Sequence, residues 1–154
     1  MNIAIIFAGG SGRRMGAGMP KQFLEINGKP IIIHTLDNFQ NSPLIDKIYI
    51  SCKKEYIHKL ENMLEYYRIT KAAGIVEGGE TGQDSIYNGL KCALKENPED
   101  SIVLVHDGVR PLISEEVIEE NIECVKKYGS AVTCTPFFET PVISVSGEVV
   151  EDMP

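Results

Sequence analysis

Short apolar runs alternate along this chain with segments whose apolar residues recur at helical spacing. The runs that predict buried strands are residues 2–7, 47–52, 74–76, 101–106 and 131–135. The segments that predict helices run from residue 30 to about 39, from 55 to 67, from 84 through 94 and from 114 to about 127. Strands that alternate with helices form a mostly parallel sheet covered on both faces. We therefore expect a three-layer, Rossmann-like α/β fold, followed by a hairpin arm from residues 142–144 and 149–151.

The size and charge of the chain exclude several classes of protein. Its 154 residues are enough for one domain with a single core. No apolar run approaches the ~20 residues of a membrane span, and no signal peptide is visible, so a cytoplasmic protein is expected. The net charge of −7 argues against general nucleic-acid binding. Yet residues 1–24 contain no acidic residue and hold Arg13, Arg14 and Lys21, which suits a small, highly charged anion.

The cysteines carry no metal or disulfide signal. Cys52, Cys92, Cys124 and Cys134 are widely spaced, form no CxxC pair and fall in apolar-periodic segments. Free cysteine in such a setting behaves as a small hydrophobic residue. All four are therefore expected to be reduced core residues.

The clearest chemical signal is a glycine- and arginine-rich loop directly after the first predicted strand. Residues 8–15 read AGGSGRRM, and Pro20-Lys21-Gln22 follow. Glycines let backbone N–H groups approach phosphate oxygens, while Arg and Lys supply charge-assisted hydrogen bonds. The loop lacks the ending of a P-loop, and its glycine spacing is not that of the dinucleotide fingerprint. It predicts an anion site, with a flexible turn carrying solvated arginines as the alternative.

Two further distinctive segments also follow predicted strands. Residues 78–85 read GGETGQDS, and residues 106–111 read HDGVRP. In parallel α/β sheets, ligands bind beyond the carboxyl ends of the strands. We therefore expect both segments to share one rim of the sheet with the loop of residues 8–21.

The loop AGGSGRRM followed by PKQFLEINGKPII resembles the signature of cytidylyltransferases that make CDP-linked sugar alcohols. These are the 2-C-methyl-D-erythritol 4-phosphate cytidylyltransferase and ribitol-5-phosphate cytidylyltransferase families. The resemblance implies a nucleotidyltransferase fold, a loop that cradles the triphosphate of CTP, and Mg²⁺ or another divalent cation as cofactor. It places the side chains that stabilise the transition state at Arg14 and Lys21. The nucleotide-binding residues that it implies here are Phe7, Ala8, Gly9, Gly10, Ser11 and Gly12.

By the same resemblance, residues 78–85 line the cytosine and ribose pocket. The implied nucleotide-binding residues are Gly79, Glu80, Thr81, Gly82, Gln83, Asp84 and Ser85. Many relatives carry an arginine where this chain has Gly82. The stretch also has a plainer interpretation, in which Asp84 is an ordinary N-cap of the helix that follows.

The segment HDGVRP resembles the His-Asp-x-x-Arg-Pro motif of these families. A carboxylate at a strand end can hold Mg²⁺ or a substrate hydroxyl, and a nearby arginine can take a phosphate. The resemblance implies that Asp107 and Arg110 bind the acceptor, that Asp107 lies beside the metal–phosphate cluster and that Gly108 contacts the nucleotide. A structural ion pair between Asp107 and Arg110 is the alternative, and His106 is expected to be structural.

Thr140 matches a threonine that approaches the substrate in relatives. There, the stretch that begins at about residue 137 starts a β-arm that crosses to a partner subunit, which implies a homodimer. A plain surface hairpin is the alternative. The family's chain is longer by roughly half, so we expect residues 1–154 to form one nucleotidyltransferase domain that is incomplete at its C-terminus and lacks part of the acceptor site.

The resemblance implies transfer of CMP from CTP to a sugar-alcohol phosphate, with release of pyrophosphate. D-ribitol 5-phosphate is the expected acceptor, because Phe7-Ala8-Gly9-Gly10 and the valine before Arg110 are closer to the ribitol-phosphate branch. The isoprenoid precursor 2-C-methyl-D-erythritol 4-phosphate stays open as the acceptor. So do a nucleotide-binding module without activity and a dinucleotide-binding oxidoreductase. The last would need a tighter glycine spacing and an acidic residue at the end of the second strand, which reads Ser51-Cys52-Lys53.

Overall fold

The structure is a computed structural model that describes residues 1–9 and 19–136. In those ranges the strands are β1 (Asn2–Ala8), β2 (Glu25–Ile26), β3 (Lys29–Pro30), β4 (Lys47–Cys52), β5 (Ala72–Glu77) and β6 (Ile102–Asp107). The helices are α1 (Ile31–Asn41), α2 (Ile57–Tyr66), α3 (Gly82–Glu96) and α4 (Glu115–Tyr128). Short 3₁₀ turns at Lys21–Phe23 and Lys54–Tyr56 come before β2 and α2. None of these described helices has the length and apolarity to cross a bilayer.

The longer strands form one parallel sheet in the order β5-β4-β1-β6, as expected. The chain moves outward from β1 through β4 to β5 and then returns across β1 to add β6. This reversal opens a crevice at the carboxyl ends of β1 and β6. Ligands of open α/β sheets bind at such a point.

Side chains of β1 alternate between the two faces of the sheet. Ala4 and Ile6 belong to the core shared with α1, α2 and α4, while Ile3 and Ile5 pack with α3. Each of the four residues is at most 2% exposed. A continuous apolar run is what a parallel strand buried on both faces requires, and each buried isoleucine stabilises the fold by about 1.5–3 kcal/mol. The three expected layers are therefore present.

Two helices begin at side-chain caps. Ser114 caps α4 by accepting a hydrogen bond from the N–H of Val117 at 3.3 Å. Helix α3 has Thr81 as its N-cap, and Asp84 is the third helical residue of a capping box. The prediction that Asp84 is the N-cap was wrong, because Thr81 and Asp84 satisfy each other's backbone N–H groups reciprocally.

Residues 131–135 are not a strand, contrary to the prediction. Part of this segment lines a groove of about 900 Å³ beside β6 and α4, to which Val105, Val117 and Val132 contribute. Val132 is 88% exposed, and no strand in the described ranges pairs with the segment. β-branched residues favour a strand only where a neighbour completes the ladder. The predicted hairpin of residues 142–151 lies outside the described residues.

The cysteines are free thiols, as expected, but they are not all core residues. Cys52 is buried, Cys92 and Cys124 are half-buried, and Cys134 is exposed. The prediction for Cys134 was wrong because its burial depended on the strand expected at residues 131–135.

Candidate functional site

The ends of β1 and β6 meet the start of α3 at the crevice. The N–H of Gly108, just after β6, donates to Phe7 O at 2.9 Å. A Cβ on Gly108 would lie 3.1 Å from the Cβ of Ala8, so the two backbones are close. A Cβ on Gly9 would lie only 2.8 Å from the Oγ of Ser85 in α3. The described parts of the three sequence segments therefore share one rim, as expected.

The turn that leads from β5 into α3 is held together by Ser85. This residue is 1% exposed, and its hydroxyl accepts from Gly79 N at 3.1 Å and donates to Thr81 O at 2.9 Å. The Thr81 hydroxyl donates to Asp84 Oδ2 at 2.7 Å within the capping box. The side chains of Thr81, Asp84 and Ser85 are thus engaged in shaping the turn. What these three residues present to a ligand is mainly their backbone.

The outer side of the same turn is open to solvent. Glu80, Gly82 and Gln83 are exposed. A Cβ on Gly82 would have only the Cε2 of Phe7 within contact range, at 3.9 Å. The turn therefore leaves room for a ligand beside the half-buried Phe7 ring.

Asp107 and Arg110 form an ion pair at the end of β6. Oδ2 of Asp107 lies 3.5 Å from Nε of Arg110, while Oδ1 accepts from the N–H of Val109 at 3.1 Å. The arginine side chain is 77% exposed and the aspartate side chain 28%. Because an exposed pair of this kind contributes little to stability, Arg110 can leave Asp107 for an anion at small cost. The structural and the ligand-binding interpretations of the pair are therefore compatible.

Helix α1 supports the loop that carries this pair. The buried hydroxyl of Thr35 donates to Gly108 O at 3.0 Å, and Nδ2 of Asn38 donates to Pro111 O at 2.8 Å. Nε2 of His106 lies 2.9 Å from Arg110 O, and because a carbonyl only accepts, this nitrogen carries the proton. The imidazole ring also packs on Phe39, with centroids 5.2 Å apart. These contacts agree with a structural role for His106.

Lys21 begins a 3₁₀ turn whose next residue is almost fully buried. Gln22 is 2% exposed, and its Nε2 donates to Ala8 O at 2.6 Å. Phe23, also 2% exposed, packs on the ring of Tyr56 with centroids 5.1 Å apart. Half-buried Lys21 therefore projects from a fixed turn next to the end of β1.

Thr35 and Asn38 were not singled out from the sequence, and Gln22 was quoted with the loop but given no role, although each contacts a segment of the site. For Thr35 the available signal was a polar residue within a helix of apolar periodicity, where it lies between His34 and Leu36 and is fully buried. Buried polar side chains are almost always hydrogen-bonded, but the sequence does not show to which atom.

A family model described as IspD, 2-C-methyl-D-erythritol 4-phosphate cytidylyltransferase, matches residues 2–152. The chain belongs to this family. A relative in Streptococcus agalactiae serotype Ia, named ribitol-5-phosphate cytidylyltransferase, is 53% identical over 93% of this chain and 60% of its own length. A relative in Syntrophus aciditrophicus, named 2-C-methyl-D-erythritol 4-phosphate cytidylyltransferase, is 42% identical over 90% of this chain and 58% of its own length.

The solved structures of the family confirm its fold in this chain. The crystal structure of 4-diphosphocytidyl-2C-methyl-D-erythritol synthase from Anaerococcus prevotii matches with a TM-score of 0.74 and 31% identity. The match covers 99% of this chain and 62% of that one. The chain thus spans about 60% of the length of the family members it matches.

Some residues that the family resemblance singles out are not in the described ranges. Gly10, Ser11, Gly12 and Arg14 fall in residues 10–18, and Thr140 falls in residues 137–154. Their roles stay predictions. The described rim brings together Phe7, Ala8, Gly9, Ser85 and Gly108, with Asp107 and Arg110 at the end of β6.

One carboxylate at the described rim fits a divalent cation that is held mainly through a substrate. In residues 1–9 and 19–136, no three His, Cys, Asp or Glu side chains converge as a metal cluster. Asp107 offers a carboxylate at the end of β6. Mg²⁺ usually binds through one or two carboxylates together with substrate phosphates. Asp107 therefore fits as a protein ligand of an ion that arrives with a nucleotide triphosphate.

Proposed function

We propose that the protein transfers a CMP unit from CTP to D-ribitol 5-phosphate and releases pyrophosphate. The observation that carries this proposal is the 53% identity to the relative named ribitol-5-phosphate cytidylyltransferase, over 93% of the chain. The relative named for methylerythritol phosphate is less similar, at 42%. The shared rim at β1, β6 and α3 supports the proposal, because it groups the segments that the two substrates would need.

In this reaction a phosphate oxygen of the acceptor attacks the α-phosphorus of CTP. A bond forms between that oxygen and the α-phosphorus, and the bond to the bridging oxygen of the β-phosphate breaks, so that pyrophosphate leaves with the electron pair. The attacking phosphate is already ionised and needs no general base. Catalysis of such a transfer is mostly positioning and stabilisation of charge.

Each part of the rim takes one task in the proposal. Phe7, Ala8 and Gly9, with Gly10, Ser11 and Gly12, present backbone groups to the triphosphate. The turn at residues 79–85 reads the edge of the cytosine and the ribose through its backbone, because Ser85 and the capping box already hold that backbone in place. Gly108 contacts the nucleotide from the side of β6.

Charge stabilisation falls to cationic side chains and to the metal. Arg14 and Lys21 offset charge that develops at the α-phosphate and on the leaving pyrophosphate. Mg²⁺, when bound, supplies neutralisation of the triphosphate, with Asp107 as the protein ligand. Arg110 leaves its exposed pair with Asp107 to bind the acceptor phosphate, and Thr140 approaches the acceptor as well.

Other functions remain as outcomes of one experiment. The family model and the Syntrophus relative favour 2-C-methyl-D-erythritol 4-phosphate as the second candidate acceptor. A nucleotide-binding module without activity would bind CTP and transfer nothing. A homodimer through the arm that begins at about residue 137, and a cytoplasmic location, belong to the proposal as well.

The test is pyrophosphate release by the purified full-length protein with CTP, Mg²⁺ and each acceptor in turn, with mass spectrometry of the nucleotide product. We expect release with D-ribitol 5-phosphate and formation of CDP-ribitol. A higher kcat/KM with 2-C-methyl-D-erythritol 4-phosphate would make that compound the acceptor instead of D-ribitol 5-phosphate. Tight CTP binding without release from either acceptor would favour the binding module, and NADH binding without CTP binding would overturn the reading as a whole.

A further inference from the structure

Gln22 joins the two places at which the glycine-rich loop leaves and rejoins the described structure. Its Nε2 donates to the carbonyl of Ala8, the last residue of β1, at 2.6 Å. The two residues are 14 positions apart, and the residues between them form the loop. Gln22 is only 2% exposed, so water does not compete for the bond.

The carbonyl of Ala8 has a special place at the end of the sheet. The preceding carbonyl, Phe7 O, accepts the N–H of Gly108 on the side of β6. Ala8 is also the last residue of β1 that is in register with β4, opposite Cys52. Gln22 therefore bonds the strand at the point where the sheet ends and the loop begins.

Contacts also hold the other side of the turn that carries Gln22. Phe23 packs against Tyr56, and Nζ of Lys59 lies 4.8 Å from the centre of the Phe23 ring. Leu24 O accepts the N–H of Ile31 at the start of α1 at 2.9 Å. The turn is thus fixed to α1 and α2 by its apolar residues, and to β1 by the Gln22 amide.

We propose that Gln22 is a positioning residue that sets the place of Lys21 relative to the end of β1. Lys21 is the residue directly before it in the same turn. Gln22 is buried and engaged with Ala8, so it acts through the turn and not by touching the nucleotide. This inference rests on the proposed function, because it gives Lys21 a part in the transfer.

The first test is a double-mutant cycle on pyrophosphate release with Lys21→Ala and Gln22→Met. Methionine keeps the length of the glutamine side chain and removes the N–H donor. We expect Gln22→Met to lower kcat about tenfold while KM for CTP changes by less than about threefold. In the Lys21→Ala background the same change has little further effect on kcat, because residues that act as one unit are not additive. Equal losses in both backgrounds would overturn the inference.

A second variant and a matched control separate position from stability. A buried glutamate has a raised pKa, so the activity of Gln22→Glu relative to the unchanged protein rises as pH falls and the carboxyl becomes a donor. Gln40 is a half-buried glutamine, whose amide bonds Thr70 Oγ1 at 3.0 Å and the N–H of Lys71 at 2.9 Å near the end of α1. Gln40→Met should lower stability to a similar extent and leave kcat unchanged. A flat pH ratio for Gln22→Glu would count against the inference.

Amide hydrogen exchange tests the bond without any substrate. The N–H groups of Phe23 and Leu24 donate to Pro20 O and Lys21 O at 3.0 and 3.1 Å, so their exchange reports opening of the turn. We expect faster exchange at both amides in Gln22→Met and no change in Gln40→Met. If the unchanged protein releases pyrophosphate and exchange in Gln22→Met is not faster, only the inference about Gln22 is overturned. If exchange in Gln22→Met is faster but the unchanged protein releases no pyrophosphate, Gln22 remains the anchor of the turn and the proposed function is overturned.

Discussion

The hydroxyl of Thr35 donates a buried hydrogen bond of 3.0 Å to the carbonyl of Gly108, which is 73 residues away in the sequence. Through this bond, α1 holds the loop that carries Asp107 and Arg110. The contact fixes the backbone of the loop at the end of β6, although both charged side chains of the loop are in contact with solvent.

Thr35→Val removes this donor and keeps the shape of the side chain. Because the Gly108 carbonyl loses its partner in a buried place, we expect the free energy of unfolding to fall by about 1–2 kcal/mol. Urea denaturation monitored by circular dichroism measures this free energy. Thr70→Val is the control, since Thr70 is exposed and its change should stay within about 0.5 kcal/mol. Equal effects of the two substitutions would contradict the account of Thr35.

Alanine substitutions at two glycines of one turn should have opposite outcomes. A Cβ on Gly79 would overlap the Cβ of Asp84, and it would disturb the N–H that Gly79 donates to Ser85. A Cβ on Gly82 meets nothing closer than Phe7, at 3.9 Å. We expect Gly79→Ala to lower the free energy of unfolding by about 1–3 kcal/mol and to weaken CTP binding, because an overpacked site must shift. Gly82→Ala should leave the free energy of unfolding close to that of the unchanged protein. Denaturation measures the stability of both variants, and calorimetry measures CTP binding.

Lys21→Ala tests the charge that the proposal assigns to the turn after the glycine-rich loop. If Lys21 acts mainly in the transition state, kcat for pyrophosphate release falls by on the order of 10²-fold or more. Arg14→Ala is expected to do the same. Lys91→Ala serves as the control, because Lys91 is exposed on α3 beside Tyr87. Near-normal turnover in Lys21→Ala would remove this residue from the mechanism.

The thiols should differ in reactivity because burial differs along the chain. Burial, with a smaller contribution from the charge of Glu61, raises the pKa of Cys52 from 9.0 to about 11. The neutral thiol is thus favoured in the folded state, so its contribution to stability is complete below about pH 9 and is lost as pH rises towards 11. In a disulfide-exchange assay at pH 8, exposed Cys134 should react at once, whereas Cys52 should react only after unfolding. Fast labelling of Cys52 in the folded protein would contradict this order.

The sequence predicted the sheet well because its central strands carry their signal locally. β4 spans Lys47–Cys52 as predicted, because a continuous β-branched and aromatic run is typical of a strand buried inside a parallel sheet. Residues 131–135 also contain three β-branched residues but lack a partner in the described ranges. Whether such a run becomes a strand depends on a neighbour that the run itself does not specify.

The candidate site was predicted in part for a related reason. Glycines and charged residues after strands marked the rim, because carboxyl ends of parallel strands meet at one edge. The supports behind the rim, Gln22 and Thr35, each bond a carbonyl distant in sequence. The residues next to Gln22 and Thr35 in the sequence do not indicate which carbonyl each side chain will bond. The start of α3 was predicted at the wrong residue for another reason. Thr81 and Asp84 have the spacing of a capping box, but Asp84 considered alone also suits an N-cap.

The order of strands in the sheet has a consequence for the time course of folding. β1 is synthesised first, yet it needs β4 and β6 on its two sides, with partners such as Ile5 and Val105 a hundred positions apart. Contacts of such long separation form late and slowly. On the ribosome, β1 can pair with β4 long before β6 has emerged. Until then, one edge of this largely apolar strand has no neighbour. The crevice that Gly108 forms with Phe7 therefore exists only after β6 has joined β1. Any ligand of that crevice can bind only from that point on.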